Sequence, residues 1–169
     1  MLAEPGLLPR VGRALARLAG GRTLVIIPGG GPFTDQVRQF DQRHGLPPTS
    51  AHWMAILAMD QFAWVLAAEV PGSRIVEDRA GILQAHRDGM IPVLAPSRWL
   101  RATDELPHRW EVTSDSLAAY LATLLGANEL ILVKPVSGGT ELVDDWFLRV
   151  APADLRVQIV GAAEFSAGA

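Results

Sequence analysis

The sequence predicts an α/β fold built on a mostly parallel sheet, in one domain spanning residues 1–169. Three observations predict it. Short, apolar, branched runs recur at "RTLVIIP", "MIPVLAP" and "ELILVKP", as suits strands buried on both faces. Stretches with helical spacing or helix caps separate these runs. Glycine or proline punctuates most junctions, and strands that alternate with helices imply parallel crossovers.

Leu7, Leu8, Val11, Leu15 and Leu18 recur at helical spacing until Gly20-Gly21, so the Arg-rich start reads as a surface helix. "RTLVIIP" is then a buried strand, and "FTDQVRQFDQRHG" a helix closed by Gly45. "LPPTS" is a loop whose Thr49 or Ser50 can cap the next helix. That helix, "AHWMAILAMDQFAWVLAAEV", is apolar nearly all round, which predicts deep burial, and Pro71-Gly72 stops it. "RIVED" is a short strand, "AGILQAHRDG" a helix and "MIPVLAP" a strand. "SRWLRATDELPHRW" reads as irregular, a flap or a turn of helix. Thr113 or Ser114 caps a helix that Gly126 ends, and "ELILVKP" follows as a strand. "SGGTELVDDWF" reads as loop, "LRVQIVGA" as a last strand and "EFSAGA" as a frayed tail.

Composition narrows the function. The chain has 169 residues, 49% hydrophobic and 20% charged, so it is globular rather than disordered. A net charge of −3 offers no overall basic field for nucleic acid. No apolar run reaches the ~20 residues of a membrane span, and no signal peptide is visible, so a cytoplasmic protein is expected. The absence of cysteine excludes thiolate metal sites and cysteine nucleophiles. Among 15 basic residues there is one lysine, Lys134, so ammonium chemistry falls to it or to the N-terminus.

Ligands in parallel α/β sheets bind beyond the carboxyl ends of the strands, where "PGGGPF" and "KPVSGG" both lie. Gly29, Gly30 and Gly31 open a predicted helix, where bare backbone N–H groups can hold an anion. No Gly-Lys-Ser/Thr follows them, so this is not a Walker loop, and the dinucleotide spacing is absent. Asp115 sits beside Thr113, Ser114 and Ser116, either as a helix cap or as a carboxylate that positions a lysine or a metal-bound phosphate. Lys134 ends a buried strand, which points its ammonium toward a cleft. His52 and Asp60 share a stripe with Ile56 on the apolar helix and must find partners or meet a cavity. His44, His86 and His108 show no metal-ligand spacing with a carboxylate. Trp110 and Trp146 serve aromatic packing or cover a ring.

"VIIPGGGPFTD", "HWMAILAMDQ" and "WEVTSDSLAAYLATLLGANELILVK", in this order and spacing, resemble the amino acid kinase superfamily. The resemblance runs from about residue 5 to 163. It is nearest the small methanofuran-biosynthesis (aminomethylfuran phosphate) kinase branch of methanogens and methylotrophic bacteria. It implies a three-layer α/β/α sandwich, ATP with Mg2+, and phosphoryl transfer to a small phosphorylated or carboxylated metabolite of one-carbon cofactor biosynthesis. It implies a homo-oligomer. By the same analogy Gly29, Gly30 and Gly31 cradle the acceptor phosphate, and Asp115 matches the family's organising aspartate. The residues themselves, rather than the family, suggest His52 and Asp60 for the acceptor, Thr113, Ser114, Lys134, Ser137 and Gly138 for the nucleotide, and Lys134 beside Asp115 as catalytic; no metal ligand is assigned.

Two departures stand against that pattern. The family's opening strand, which ends in Lys-x-Gly-Gly-Ser, is missing, which predicts a gap or exposed edge in the sheet. Its Asp-Val-Asp-Gly reads here "PVSGG", with Pro135 and Ser137 in place of both acids. The alternative expectation is therefore a non-catalytic binding or partner protein on a kinase fold.

Overall fold

The structure, a computed structural model, describes residues 6–168. Helix α1 (Leu7–Ala19) is followed by an extended segment, 22–28, then by α2 (Gly31–His44) and α3 (Pro48–Glu69). Strand β1 (Ser73–Val76), α4 (Arg79–Arg87) and β2 (Ile91–Leu94) form a crossover unit. Then come α5 (Ser97–Thr103), α6 (Ser114–Leu125) and β3 (Glu129–Lys134). A 3-10 turn (Thr140–Leu142), α7 (Phe147–Val150), β4 (Arg156–Gly161) and α8 (Ala162–Gly168) complete the order.

Every strand pairing among the described residues is parallel. β1 pairs with β2 in the register Ser73↔Ile91 to Val76↔Leu94, and β3 pairs with β4 from Glu129↔Arg156 to Lys134↔Gly161. The two pairs are separate sheets.

Segment 22–28 was expected as a full strand, yet it joins β2 through one bridge, Ile26↔Val93. Ile26 N–H donates to the Pro92 carbonyl at 2.9 Å, and Leu94 N–H donates to the Ile26 carbonyl at 2.8 Å. The next rungs of a parallel ladder would need N–H groups from Pro92 and from Pro28, and proline has none. The Leu24 carbonyl, left without its rung, is instead 2.9 Å from His86 Nε2. On its far side the segment meets β3 through side chains: Ile27 packs with the Leu132 cluster, and Arg22 Nη1 lies 2.6 Å from Glu129 Oε2.

Helix α6 spans the seam. Its Leu117 and Leu121 pack with Val76 and Leu94 of the first pair, while Ala118 and Ala119 pack with Leu132 and Phe147 beside the second. α3 carries Phe62, Ala63 and Leu66 into a cluster with Ile26 and Val93. By length and composition α3 could cross a membrane; here it is a core helix. It is less deeply buried than its composition predicts, since Leu57 and Trp64 stand exposed at 41% and 69%.

Other differences have local causes. α3 begins at Pro48 with no side-chain cap, so Thr49 and Ser50 lie inside the helix; proline at its first position already holds the helical φ. The stretch read as irregular contains α5, whose first N–H, that of Ser97, is held by Asp60 Oδ1 at 3.0 Å. The stretch read as loop contains α7, and the tail expected to fray forms α8, which packs Ala162 and Phe165 against Leu7 and Val11 of α1.

Candidate functional site

Each glycine of the triplet has its own reason. Gly31 has φ +55°, in the left-handed region where side chains strain, and Phe62 lies 3.4 Å from where its Cβ would be. A Cβ at Gly30 would fall 1.5 Å from Thr34 Oγ1. A Cβ at Gly29 would lie 3.2 Å from Ser114 Oγ, so the turn opening α2 runs beside the first residue of α6. Two helix N-termini thus sit together. Their dipoles favour an anion, and at α6 the chain's own Asp144 and Thr113 already accept the Thr113, Asp115 and Ser116 N–H groups.

A cavity of about 720 Å³ opens there. Gly30, Gly31 and Ser114 form one wall, and His52, Ile56 and Met59 of α3 form another. Trp110 closes a third side as a fixed plate: its Nε1 donates to Asp41 Oδ2 at 2.6 Å, and the Arg38 guanidinium lies 4.9 Å from its ring centroid. The second Asp41 oxygen accepts the Leu46 N–H at 2.7 Å. Arg38 and Arg109 add positive charge to the lining, and Asp35, Asp41 and Glu111 add negative charge.

Asp115 and Lys134 pair with each other, Nζ to Oδ2 at 2.5 Å, with side chains 12% and 19% exposed. They flank the cavity rather than line it; their neighbours Ser114 and Pro135 are on its wall. Burial pushes the Asp115 carboxyl up, the Lys134 ammonium pulls it back, and the nearby Asp144 charge adds to the rise, leaving it above its ordinary range.

Asp144, which the sequence reading passed over, organises this corner. Its Oδ2 accepts the Thr113 N–H and hydroxyl and the Ser116 N–H; its Oδ1 accepts the Ser116 hydroxyl and the Trp146 and Phe147 N–H groups. Thr113 Oγ1 in turn accepts the Asp115 N–H as the helix cap. Burial alone would raise the Asp144 carboxyl, but these donors hold it below the ordinary 3.8. The folded chain therefore binds fewer protons here than the unfolded chain. The stability this confers is full above 3.8 and is lost as pH falls through the lower folded value. Urea midpoints taken from neutral to acid pH should fall, and fall less steeply in Asp144→Asn.

The remaining sequence candidates are distributed differently. His52 lines the cavity, with Nε2 2.7 Å from Asp104 Oδ2. Asp60 is outside the lining and holds α5. Ser137 Oγ donates to Glu164 Oε2 at 2.7 Å, and Gly138 lines a second cavity of about 410 Å³ between the 138–139 loop and α7. Trp146 is not in the cavity lining; the guanidinium groups of Arg149 and of the lining residue Arg109 lie 4.8 and 5.7 Å from its ring centroid. The sequence could not pair Asp104 with His52, 52 residues away.

A parallel α/β fold with two helix N-termini facing one cavity defines the class of protein. The chain belongs to the amino acid kinase family, whose model matches residues 1–138. It is 34% identical over 117 residues to the [5-(aminomethyl)furan-3-yl]methyl phosphate kinase of Methanocaldococcus jannaschii, a match covering 69% of this chain and 54% of that protein. The chain thus spans about half the length of this curated relative. Among solved structures, uridylate kinase from Archaeoglobus fulgidus superposes with a TM-score of 0.60 at 17% identity, over 80% of this chain and 58% of that one. At that identity the likeness concerns the fold.

Proposed function

We propose that the chain acts in ATP-dependent phosphoryl transfer to a small phosphorylated metabolite, with the aminomethylfuran phosphate named for the archaeal relative as the first acceptor to test. The observation that carries this reading is the glycine turn at the start of α2, set beside the start of α6 on one wall of a cavity of about 720 Å³. The acceptor phosphate would lie on the N–H groups of Gly30 and Gly31, with Arg38 and Arg109 neutralising it and Trp110 flanking its ring. The reading carries a cytoplasmic setting and a homo-oligomer with it, both from the family.

The nucleotide side has a fitting donor set: the Ser114 hydroxyl at a helix N-terminus, the Lys134 ammonium and the Asp115 carboxylate. When bound, ATP with magnesium supplies the phosphoryl group and neutralises part of its charge. Asp115 would hold the Lys134 ammonium in place, and Lys134 would meet the charge that develops on the transferred group.

A specific observation favours a second reading, a binding protein without turnover. Lys134 and Ser137 are both engaged by carboxylates of the chain itself, Asp115 and Glu164. One experiment separates the two. The chain is incubated with ATP, magnesium and the furan phosphate, and the diphosphate is sought by mass spectrometry. Turnover that falls at least ~10²-fold in Lys134→Ala, with folding intact, supports the kinase. Calorimetric binding of the furan phosphate without product supports the binding protein.

A further inference from the structure

We infer that His52, Asp104 and His108 form a site for a divalent transition ion, zinc foremost, in the wall of the main cavity. His52 is on α3, Asp104 flanks the end of α5, and His108 lies in the loop beyond it. His52 Nε2 is 2.7 Å from Asp104 Oδ2, and His108 Nε2 is 3.5 Å from the same oxygen. One ligating atom from each residue falls within 4.8 Å of the others. The side chains of His52 and Asp104 are 4% and 2% exposed, and that of His108 is 29% exposed.

Two of the outer atoms are already held. Asp104 Oδ1 accepts the Leu106 N–H at 3.0 Å, and His108 Nδ1 lies 3.1 Å from Thr49 Oγ1. Such outer partners orient ligands around bound metals. They leave Oδ2 and the two Nε2 atoms as neighbours, within 4.8 Å of one another.

The two imidazoles stack, with centroids 4.0 Å apart and planes 15° from parallel. His52 takes the near place on the buried Asp104 carboxylate at 2.7 Å, and His108 stays at 3.5 Å from the same oxygen. One divalent cation can serve all three groups. Zinc binds imidazole and carboxylate at about 2.0–2.2 Å, which puts neighbouring tetrahedral ligands roughly 3.3 Å apart. The 3.5 Å spacing is already close to that. The 2.7 Å spacing opens slightly, and His108, the most exposed of the three, turns out of the stack to aim its lone pair.

Two imidazoles and a carboxylate favour zinc, cobalt or nickel over magnesium, which prefers oxygen ligands. Both histidines line the cavity, so a fourth position faces it, open to water or to an oxygen of a bound guest. The site would also fasten α3 to the 104–108 loop. None of this rests on the kinase reading.

The test uses the untagged full chain, stripped with chelator and titrated with cobalt(II) in millimolar magnesium. The expected result is the intense visible absorption of tetrahedral cobalt at one equivalent, bleached by zinc, with zinc also raising the thermal midpoint. His108→Ala, with its circular dichroism unchanged, should weaken cobalt binding at least ~10-fold and abolish the zinc shift. His44→Ala should leave both intact. Absence of the band from the parent chain overturns the site, as does a band that survives in His108→Ala. Should His108→Ala fail to fold, His108→Gln carries the same two outcomes.

Discussion

Asp144→Ala is expected to lose roughly 3–5 kcal/mol of stability, the cost of stranding several buried donors that had shared one charged acceptor. Six hydrogen bonds end on this carboxylate. Ser116, which supplies two of them, is 0% exposed, while Asp144 itself is half-buried. Thr113 would still cap α6 locally, but the start of the helix would no longer be tied to α7. Against a typical total of about 5–15 kcal/mol, this is a large share. Urea denaturation should show it as a midpoint lowered by about 2 M. A loss under ~1 kcal/mol would mean the network does not hold the corner together. Asp144→Asn, which keeps one accepting oxygen, should fall between the two.

Gly12→Ala is the second large effect, and its sign is the useful part. Gly12 lies inside α1, where replacing glycine by alanine ordinarily stabilises by up to about 1 kcal/mol. Here the added Cβ would lie 2.1 Å from the Glu69 carbonyl oxygen and 2.6 Å from its carbon, both backbone atoms of α3. Neither can rotate away, so α1 must lift off α3 and disturb Leu8, Leu15 and Ala16, which pack on the same core. Overpacking of this kind costs about 1–3 kcal/mol or more, which outweighs the propensity gain. Thermal melts should place Gly12→Ala well below the parent. Gly21→Ala, with nothing within 4 Å of its Cβ, should stay near it. A stabilised Gly12→Ala would show that the two helices do not meet at this point.

Much of the architecture was legible because the sequence punctuates it. Gly45 and Gly126 adopt the left-handed conformation that ends α2 and α6, and Thr113 caps α6 as its hydroxyl suggested. "MIPVLAP" and "ELILVKP" are strands within a residue or two of the expected ends. What stayed hidden depends on distant partners. α5 starts where Asp60, 37 residues earlier, accepts its first N–H. α7 starts on the Asp144 carboxylate, and α8 exists because α1 covers it. Segment 22–28 has strand composition, but its pairing is limited by prolines in two separate stretches, a conflict visible only once the register is known. In the site, the glycine turn was readable from its composition. The His52–Asp104 contact was not, since helical spacing says which face a histidine shares and nothing of what approaches it.

The seam between the two strand pairs places the glycine turn and Lys134 on separate slabs. The glycine turn rides with β2 through Ile26, whereas Lys134 rides with β4. Helix α6 spans both and so acts as the ruler that sets the distance between them. A guest gripped at Gly31 and reaching toward Lys134 would work as a rivet, lending the molecule stiffness that its own backbone ladder does not supply across that line.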